Sequence, residues 1–230
     1  MRHCFLSCQR SISLSKTHIH DRHHAGKLLA EKLVPIVKGK DCLILSIPRG
    51  GVIIGDEIAR ALGFPLDVII SKKITPPDYP EYAIGSVTYD GVMYCGREWV
   101  HYSNHSKFQE EINKKIVEIE KQIQIYRGNT KYDFKNKTIL LVDDGIATGA
   151  TVCAILKWLS KKNVNQIIIV TPVIPYTTQE IIKRFGVQIV ALETPLEFSS
   201  VQQFYRKYDQ IPEQIVKNIL QKYRNSSPYN

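Results

Sequence analysis

Residues 138–152 read Thr-Ile-Leu-Leu-Val-Asp-Asp-Gly-Ile-Ala-Thr-Gly-Ala-Thr-Val, and this stretch constrains the fold more than any other. The apolar run Ile139 to Val142 leads directly into two adjacent carboxylates, Asp143 and Asp144. A loop of small residues, Gly145 to Thr151, follows and opens into a helical pattern. A short, wholly apolar run suits a strand buried on both faces of a parallel sheet. The loop then lies at the strand's carboxyl end, where such sheets bind ligands. Backbone N–H groups at a helix start, with little side chain in the way, favour a phosphate. The paired acids repel a phosphate and suit something beside it: sugar hydroxyls, a divalent metal or developing positive charge. A nucleotide P-loop does not fit, because it needs a lysine after its last glycine and Ala150 follows Gly149 here.

A second strand end has the same form. Cys42 to Ile47 is a short apolar run, and Pro48-Arg49-Gly50-Gly51 leads from it into a helix expected from about Val52 to Leu62. Two glycines allow a backbone to approach a ligand closely, and an arginine can grip an oxyanion.

The rest of the chain alternates in period. Asp21 can cap a helix whose apolar residues Ala25, Leu28, Leu29, Leu33, Ile36 and Val37 recur at helical spacing. Leu66 to Ile70 is a strand. Lys72 to Asp78, with Pro76 and Pro77, reads as a loop. Tyr82 to Val87 and Val92 to Cys95 flank Asp90-Gly91, a hairpin signal. Ser106 to Tyr126 is a long amphipathic helix. Beyond the acidic motif come a helix (Thr151 to Lys161), a strand (Ile167 to Val170), a helix (Thr178 to Phe185), a strand (Val187 to Ala191) and a final helix (Ile211 to Tyr223). Strands separated by helices give a layered α/β fold.

At 230 residues the chain is long enough to bury a core without staples. Its five cysteines are odd in number and scattered, which points to a reducing compartment, the cytoplasm. No apolar run reaches the roughly 20 residues of a membrane-spanning helix. The net charge of +9 suits an anionic partner; lysines such as Lys114, Lys115, Lys161 and Lys162 read as solvated helix faces. Residues 1–20 hold no acid before Asp21 and read as a disordered tail, faintly like a transit peptide. Residues 21–230 form one domain. His18, His20, His23 and His24 lack the spacing and cysteine partners of a metal site.

The combination of strand, two acids, three spacers and Thr148-Gly149-Ala150-Thr151 resembles the 5-phosphoribosyl 1-pyrophosphate (PRPP) motif of type I phosphoribosyltransferases. Pro48 to Val52 resembles the pyrophosphate loop of that family. Asp21-Arg22 with Ala25-Gly26, Pro65 to Val68, and Pro80-Glu81 with Ala83-Ile84-Gly85 extend the likeness to a bacterial subgroup, over about residues 21–220. The resemblance implies a three-layer α/β fold with a mostly parallel central sheet and a small hood, formed by residues 72–105 and the C-terminal stretch. It implies that the strand at Cys42 lies beside the strand at Thr138, so that the two loops face each other. The peptide between the positions of Arg49 and Gly50 is often cis in the family.

The implied chemistry is transfer of the phosphoribosyl group of PRPP to a nitrogen nucleophile, with release of pyrophosphate. Asp143 and Asp144 bind the ribose hydroxyls and stabilise oxocarbenium character. Ala147, Thr148, Gly149, Ala150 and Thr151 hold the 5′-phosphate. Arg49, Gly50, Gly51, Lys72 and Lys73 hold pyrophosphate, although the two lysines also read as solvated loop residues. Mg²⁺ is the cofactor, reached by Asp143 and Asp144 indirectly through PRPP and water. Tyr79, Phe198 or Tyr205 can stack on a base. Hypoxanthine-guanine enzymes carry an acid where Ala147 stands, and adenine enzymes carry alanine. The expected partners are PRPP, pyrophosphate and a small nitrogen nucleophile, with no membrane, no recognisable nucleic-acid motif and room for a homodimer. Regulators built on the same fold, which sense PRPP or nucleotides and contact nucleic acid, are the alternative.

Overall fold

A computed structural model describes residues 19–76, 83–96, 98–102 and 106–224. Its centre is a five-stranded parallel sheet in the order β2-β1-β6-β7-β8. The strands are β1 (Cys42–Ser46), β2 (Leu66–Val68), β6 (Thr138–Val142), β7 (Gln166–Val173) and β8 (Gln188–Glu193). All five residues of β1 and all five of β6 are buried, as expected of strands covered on both faces.

Helices cover both faces. On one face lie α1 (Arg22–Val37), α2 (Gly50–Leu62), α4 (Ser106–Arg127) and α7 (Glu213–Arg224), joined through a core that includes Leu29, Leu33, Ile54, Ile58, Ile119 and Ile123. On the other lie α5 (Ala150–Leu159) and α6 (Tyr176–Lys183), through Val152, Ile155, Leu156, Trp158 and Ile182. The α/β three-layer expectation therefore holds. Asp21 caps α1 by accepting from the His24 N–H at 2.8 Å. Among the described residues no helix is long and apolar enough to cross a membrane.

A second sheet is antiparallel, in the order β3-β4-β5, from β3 (Ser71–Ile74), β4 (Gly85–Thr88) and β5 (Met93–Cys95). The short helix α3 (Trp99–Tyr102) follows. The hairpin expected around Asp90-Gly91 is β4-β5. Its turn is pinned to α5, since the Trp158 indole donates to Asp90 Oδ2 at 2.9 Å. Tyr89, Tyr132 and Phe134 surround the same indole.

Four local expectations change. Residues 71–74 are a strand rather than a loop: Ser71 to Ile74 pair with Thr88 to Gly85, and the Ser71 and Ser86 hydroxyls lie 2.6 Å apart. The lysines that argued for a loop are on the edge strand of this small sheet, a common place for them. Helix α2 begins at Gly50, so both glycines of the first loop are helical. The cis peptide lies between Pro48 and Arg49, one bond earlier than the family resemblance implies. Residues 19 and 20 are not part of a free tail. Ile19 is fully buried and bridges Tyr205, while Arg206 N–H and Lys207 N–H donate to the Ile19 and His20 carbonyls.

Candidate active site

Strands β1 and β6 run parallel in unbroken register from Cys42 opposite Thr138 to Ser46 opposite Val142. They end at the same level, and the Ile47 N–H still reaches the Val142 carbonyl at 2.8 Å. The chain then leaves β1 for α2 on one face and β6 for α5 on the other. This divergence makes a crevice at the carboxyl ends of the strands, the switch point where open α/β sheets bind ligands.

The two loops touch across that crevice. A Cβ on Gly51 would sit 2.8 Å from the Val142 carbonyl oxygen and 3.1 Å from the Asp143 Cα. One on Gly50 would sit 1.8 Å from Asp144 Oδ2 and 2.6 Å from Arg22 Nε. Side chains are excluded at both positions because the acidic loop fills that space. Arg49 stays exposed at the rim.

The two acids stand in different surroundings. Asp144 Oδ2 accepts from Arg22 Nε at 2.7 Å and from the Tyr208 hydroxyl at 3.1 Å. Its main-chain carbonyl accepts from the Tyr205 hydroxyl at 2.7 Å, and its N–H donates to Asp143 Oδ1 at 2.8 Å. Arg22 also donates to the Asp209 carbonyl at 2.8 Å and lies 3.9 Å from the centre of the Tyr208 ring. Burial alone would lower the guanidinium's pKa; the Asp144 charge and hydrogen bond, with Tyr208, raise it instead. Among the described residues, Asp143 has no cation in contact. Burial first, then the neighbouring Asp144 charge, push its carboxyl well above the usual carboxylate range, with Lys73 a smaller opposing influence.

The loop after the acids is shaped as a cradle. Gly149 has φ +77°, the left-handed region that glycine tolerates, and no side chain caps α5. The first N–H groups of a helix have no partner within it, so those of Ala150 and Thr151 are available to an anion. Thr148 is exposed, while the Ala147 carbonyl is held by the Thr178 hydroxyl at 2.6 Å. Gly145 lies under Val201, whose methyl would be 2.3 Å from an added Cβ.

The lysines divide. Lys73 slightly opposes the rise at the Asp143 carboxyl, while Lys72 Nζ pairs with Glu118 Oε2 at 2.9 Å on α4. Tyr205 does not stand free to stack on a base. It is 8% exposed and its hydroxyl is bound to the Asp144 carbonyl, because the C-terminal stretch folds onto the acids. Phe198 stacks on Phe204 with ring centres 5.9 Å apart, and Tyr79 lies outside the described residues. The histidines are dispersed: His20 pairs with Asp21 at 2.9 Å and His23 with Glu57 at 2.6 Å.

Arg22, Tyr208 and the Tyr205 hydroxyl were not assigned to the site from the sequence. Arg22 is 122 residues from Asp144 and Tyr208 is 64. The signal nearest to revealing them was Arg22 in the Asp-Arg pair of the subgroup pattern.

A family model of the phosphoribosyl transferase domain matches residues 15–208. The chain belongs to the type I phosphoribosyltransferase family. Its relatives include a phosphoribosyl transferase, so named, of Mycobacterium tuberculosis strains CDC 1551 and H37Rv, 31% identical over 206 residues. That match covers 87% of this chain and 46% of the relative, so the chain spans about half the length of the curated relatives it matches. The crystal structure of TT1426 from Thermus thermophilus is 33% identical with a TM-score of 0.75, covering 90% of this chain and 99% of that one.

The family implies Mg²⁺, and the donor set decides how an ion would fit. Among the described residues no three His, Cys, Asp or Glu side chains gather as a metal site. Asp144 Oδ2 is already occupied by Arg22 and Tyr208. The remaining carboxylate oxygens fit an ion that brings its own phosphate oxygens and waters, which is the habit of Mg²⁺.

Proposed function

We propose that the crevice transfers the phosphoribosyl group of PRPP to a nitrogen nucleophile and releases pyrophosphate. The observation that carries this reading is the contact between the two loops: Gly50 and Gly51 pack against the Asp143-Asp144 pair at the level where β1 and β6 diverge. An anion held at α5 and one held near Arg49 would then lie on either side of the two carboxylates. The two ends of PRPP, its 5′-phosphate and its pyrophosphate, match that separation of charges.

The 5′-phosphate is assigned to the N–H groups of Ala147 to Thr151 and the hydroxyls of Thr148 and Thr151. Pyrophosphate is assigned to Arg49, the Gly50-Gly51 backbone and Lys73; the Lys72 pairing with Glu118 makes it the weaker member. Asp143 and Asp144 face the ribose hydroxyls. The C1–O bond breaks with its electron pair leaving on pyrophosphate, the nitrogen lone pair forms the C1–N bond, and the nitrogen's proton passes to water or to the departing pyrophosphate. Positive charge develops on the ribose because bond breaking leads, and preorganised carboxylates stabilise it. Mg²⁺, when bound, supplies charge neutralisation to the pyrophosphate. Ala147 offers no carboxylate to an incoming base, so we place the acceptor outside the hypoxanthine-guanine class.

The test is PRPP-dependent pyrophosphate release over a panel of nucleobases, amides and amines, with calorimetry of PRPP binding in the presence of Mg²⁺. Turnover with at least one nucleophile is expected. A protein inert across the panel that binds a defined RNA or DNA site tightly at physiological salt is a regulator instead.

A further inference from the structure

Asp144 is fixed at every polar atom but one. Its N–H is donated to Asp143, its carbonyl holds Tyr205, and its Oδ2 holds both Arg22 and Tyr208. Among the described residues, only Oδ1 is left without a hydrogen bond. The Arg22 side chain is 9% exposed and that of Asp144 is 14% exposed. A buried ion pair is weak support for a fold, because desolvation offsets most of the attraction. This one is also built at some expense elsewhere: Gly50 must lack a side chain to admit it. An arrangement that contributes little net stability yet fixes the orientation of one acid is explained by what that acid must do.

We propose that Arg22 is a positioning residue of the transfer site: it holds Asp144 by Oδ2 so that Oδ1 alone, in one fixed direction, meets the ligand. Tyr208 shares the task, its hydroxyl on the same Oδ2 and its ring against the guanidinium. The inference rests on the phosphoribosyl-transfer reading. It assigns Arg22 no contact with the ligand; Arg22 acts through Asp144.

The experiment is a double-mutant cycle on pyrophosphate release, with Arg22→Gln, Asp144→Asn and the double variant, and with PRPP affinity measured separately by calorimetry. Loosening a reacting group by about 1 Å costs on the order of 10²-fold. Arg22→Gln should therefore lower kcat by between about tenfold and about 10²-fold. Its effect on PRPP affinity should be smaller. In the double variant, loss of Arg22 should add little to the loss from Asp144→Asn, as expected of residues that act as one unit. Arg22→Lys keeps the charge but not the planar fork, and should fall between wild type and the Gln variant. Full kcat in Arg22→Gln, or losses that simply multiply in the double variant, overturns the inference while leaving phosphoribosyl transfer intact. If Arg22→Gln fails to fold, Arg22→Lys decides: a Lys variant at wild-type kcat overturns the proposal. A wild-type protein that neither binds PRPP nor releases pyrophosphate overturns the functional reading, and this inference with it.

Discussion

Two helices start at the site, and their first turns solve opposite problems. At α2, Gly50 and Gly51 are buried against the acidic loop. At α5, Thr148 is exposed and Gly149 turns the chain at φ +77°. The first turn is a wedge whose glycines exist so that another part of the protein can come close. The second is a cradle whose glycine exists so that the backbone can bend and present its N–H groups. Two glycine-rich helix starts therefore differ in kind: one is shaped by contacts within the protein, the other by conformation and by what is to be bound.

The contrast can be broken directly at Gly50. An alanine methyl there would lie 1.8 Å from Asp144 Oδ2, and something must move. Gly50→Ala should lose about 2–4 kcal/mol of stability, in the range of overpacked or strained sites. Its turnover should fall by on the order of 10²-fold or more. Urea unfolding and pyrophosphate release measure the two together; unchanged values in both would show that the loops do not touch in solution.

At Gly149 the separation between binding and stability should be wider. Gly149→Val should abolish PRPP binding by calorimetry. Its stability should fall by about 1–2 kcal/mol for a left-handed backbone, with some addition from the Thr178 methyl 2.9 Å from the new Cβ. Retained PRPP affinity would place the phosphate elsewhere.

The two acids sharpen the comparison further. Asp143→Asn and Asp144→Asn should each reduce turnover by on the order of 10²-fold. Their stabilities should diverge. Asp144→Asn strands the buried Arg22 charge, a loss of up to about 3–5 kcal/mol. Asp143→Asn removes one of two adjacent negative charges and should leave the melting temperature unchanged or raised. Equal melting temperatures for the pair would deny the asymmetry.

The smallest effect is expected at Tyr208. Its phenol is pushed up to about 12, by burial first and then by the Asp144 charge. A group whose pKa is raised by folding contributes stability that is complete below its unfolded value, near 10, and that is lost as the pH climbs toward the folded value. Tyr208→Phe should cost about 1 kcal/mol at pH 8. The difference between wild type and variant should shrink between pH 10 and 12. A difference independent of pH would remove the Tyr208 hydroxyl from the acid's support.

Most of the central sheet was legible in the sequence because its strands are continuous apolar runs, and β1 and β6 announce themselves through the loops that follow. The cradle was legible for the same reason: strand, acids and Thr148 to Thr151 are contiguous. Strand β3 was not, since Lys72 and Lys73 beside two prolines satisfy the usual description of a loop, and only the pairing with β4 makes them a strand. The support of Asp144 was not legible either. Arg22 looked like the residue after a helix cap, and Tyr205 like a platform for a base. Neither shows locally that it will meet an acid more than 60 residues away.

The bridge between Ile19 and Tyr205 has a consequence for the order in which the protein becomes competent. The last strand of the parallel sheet ends at Glu193, before Tyr205, Tyr208 and the Asp209 carbonyl have been added to the chain. A nascent polypeptide can lay down all its parallel strands while Arg22 has only Asp144 to hold and the acid's carbonyl has no tyrosine. Closing this long loop is the step that turns a finished sheet into a finished site.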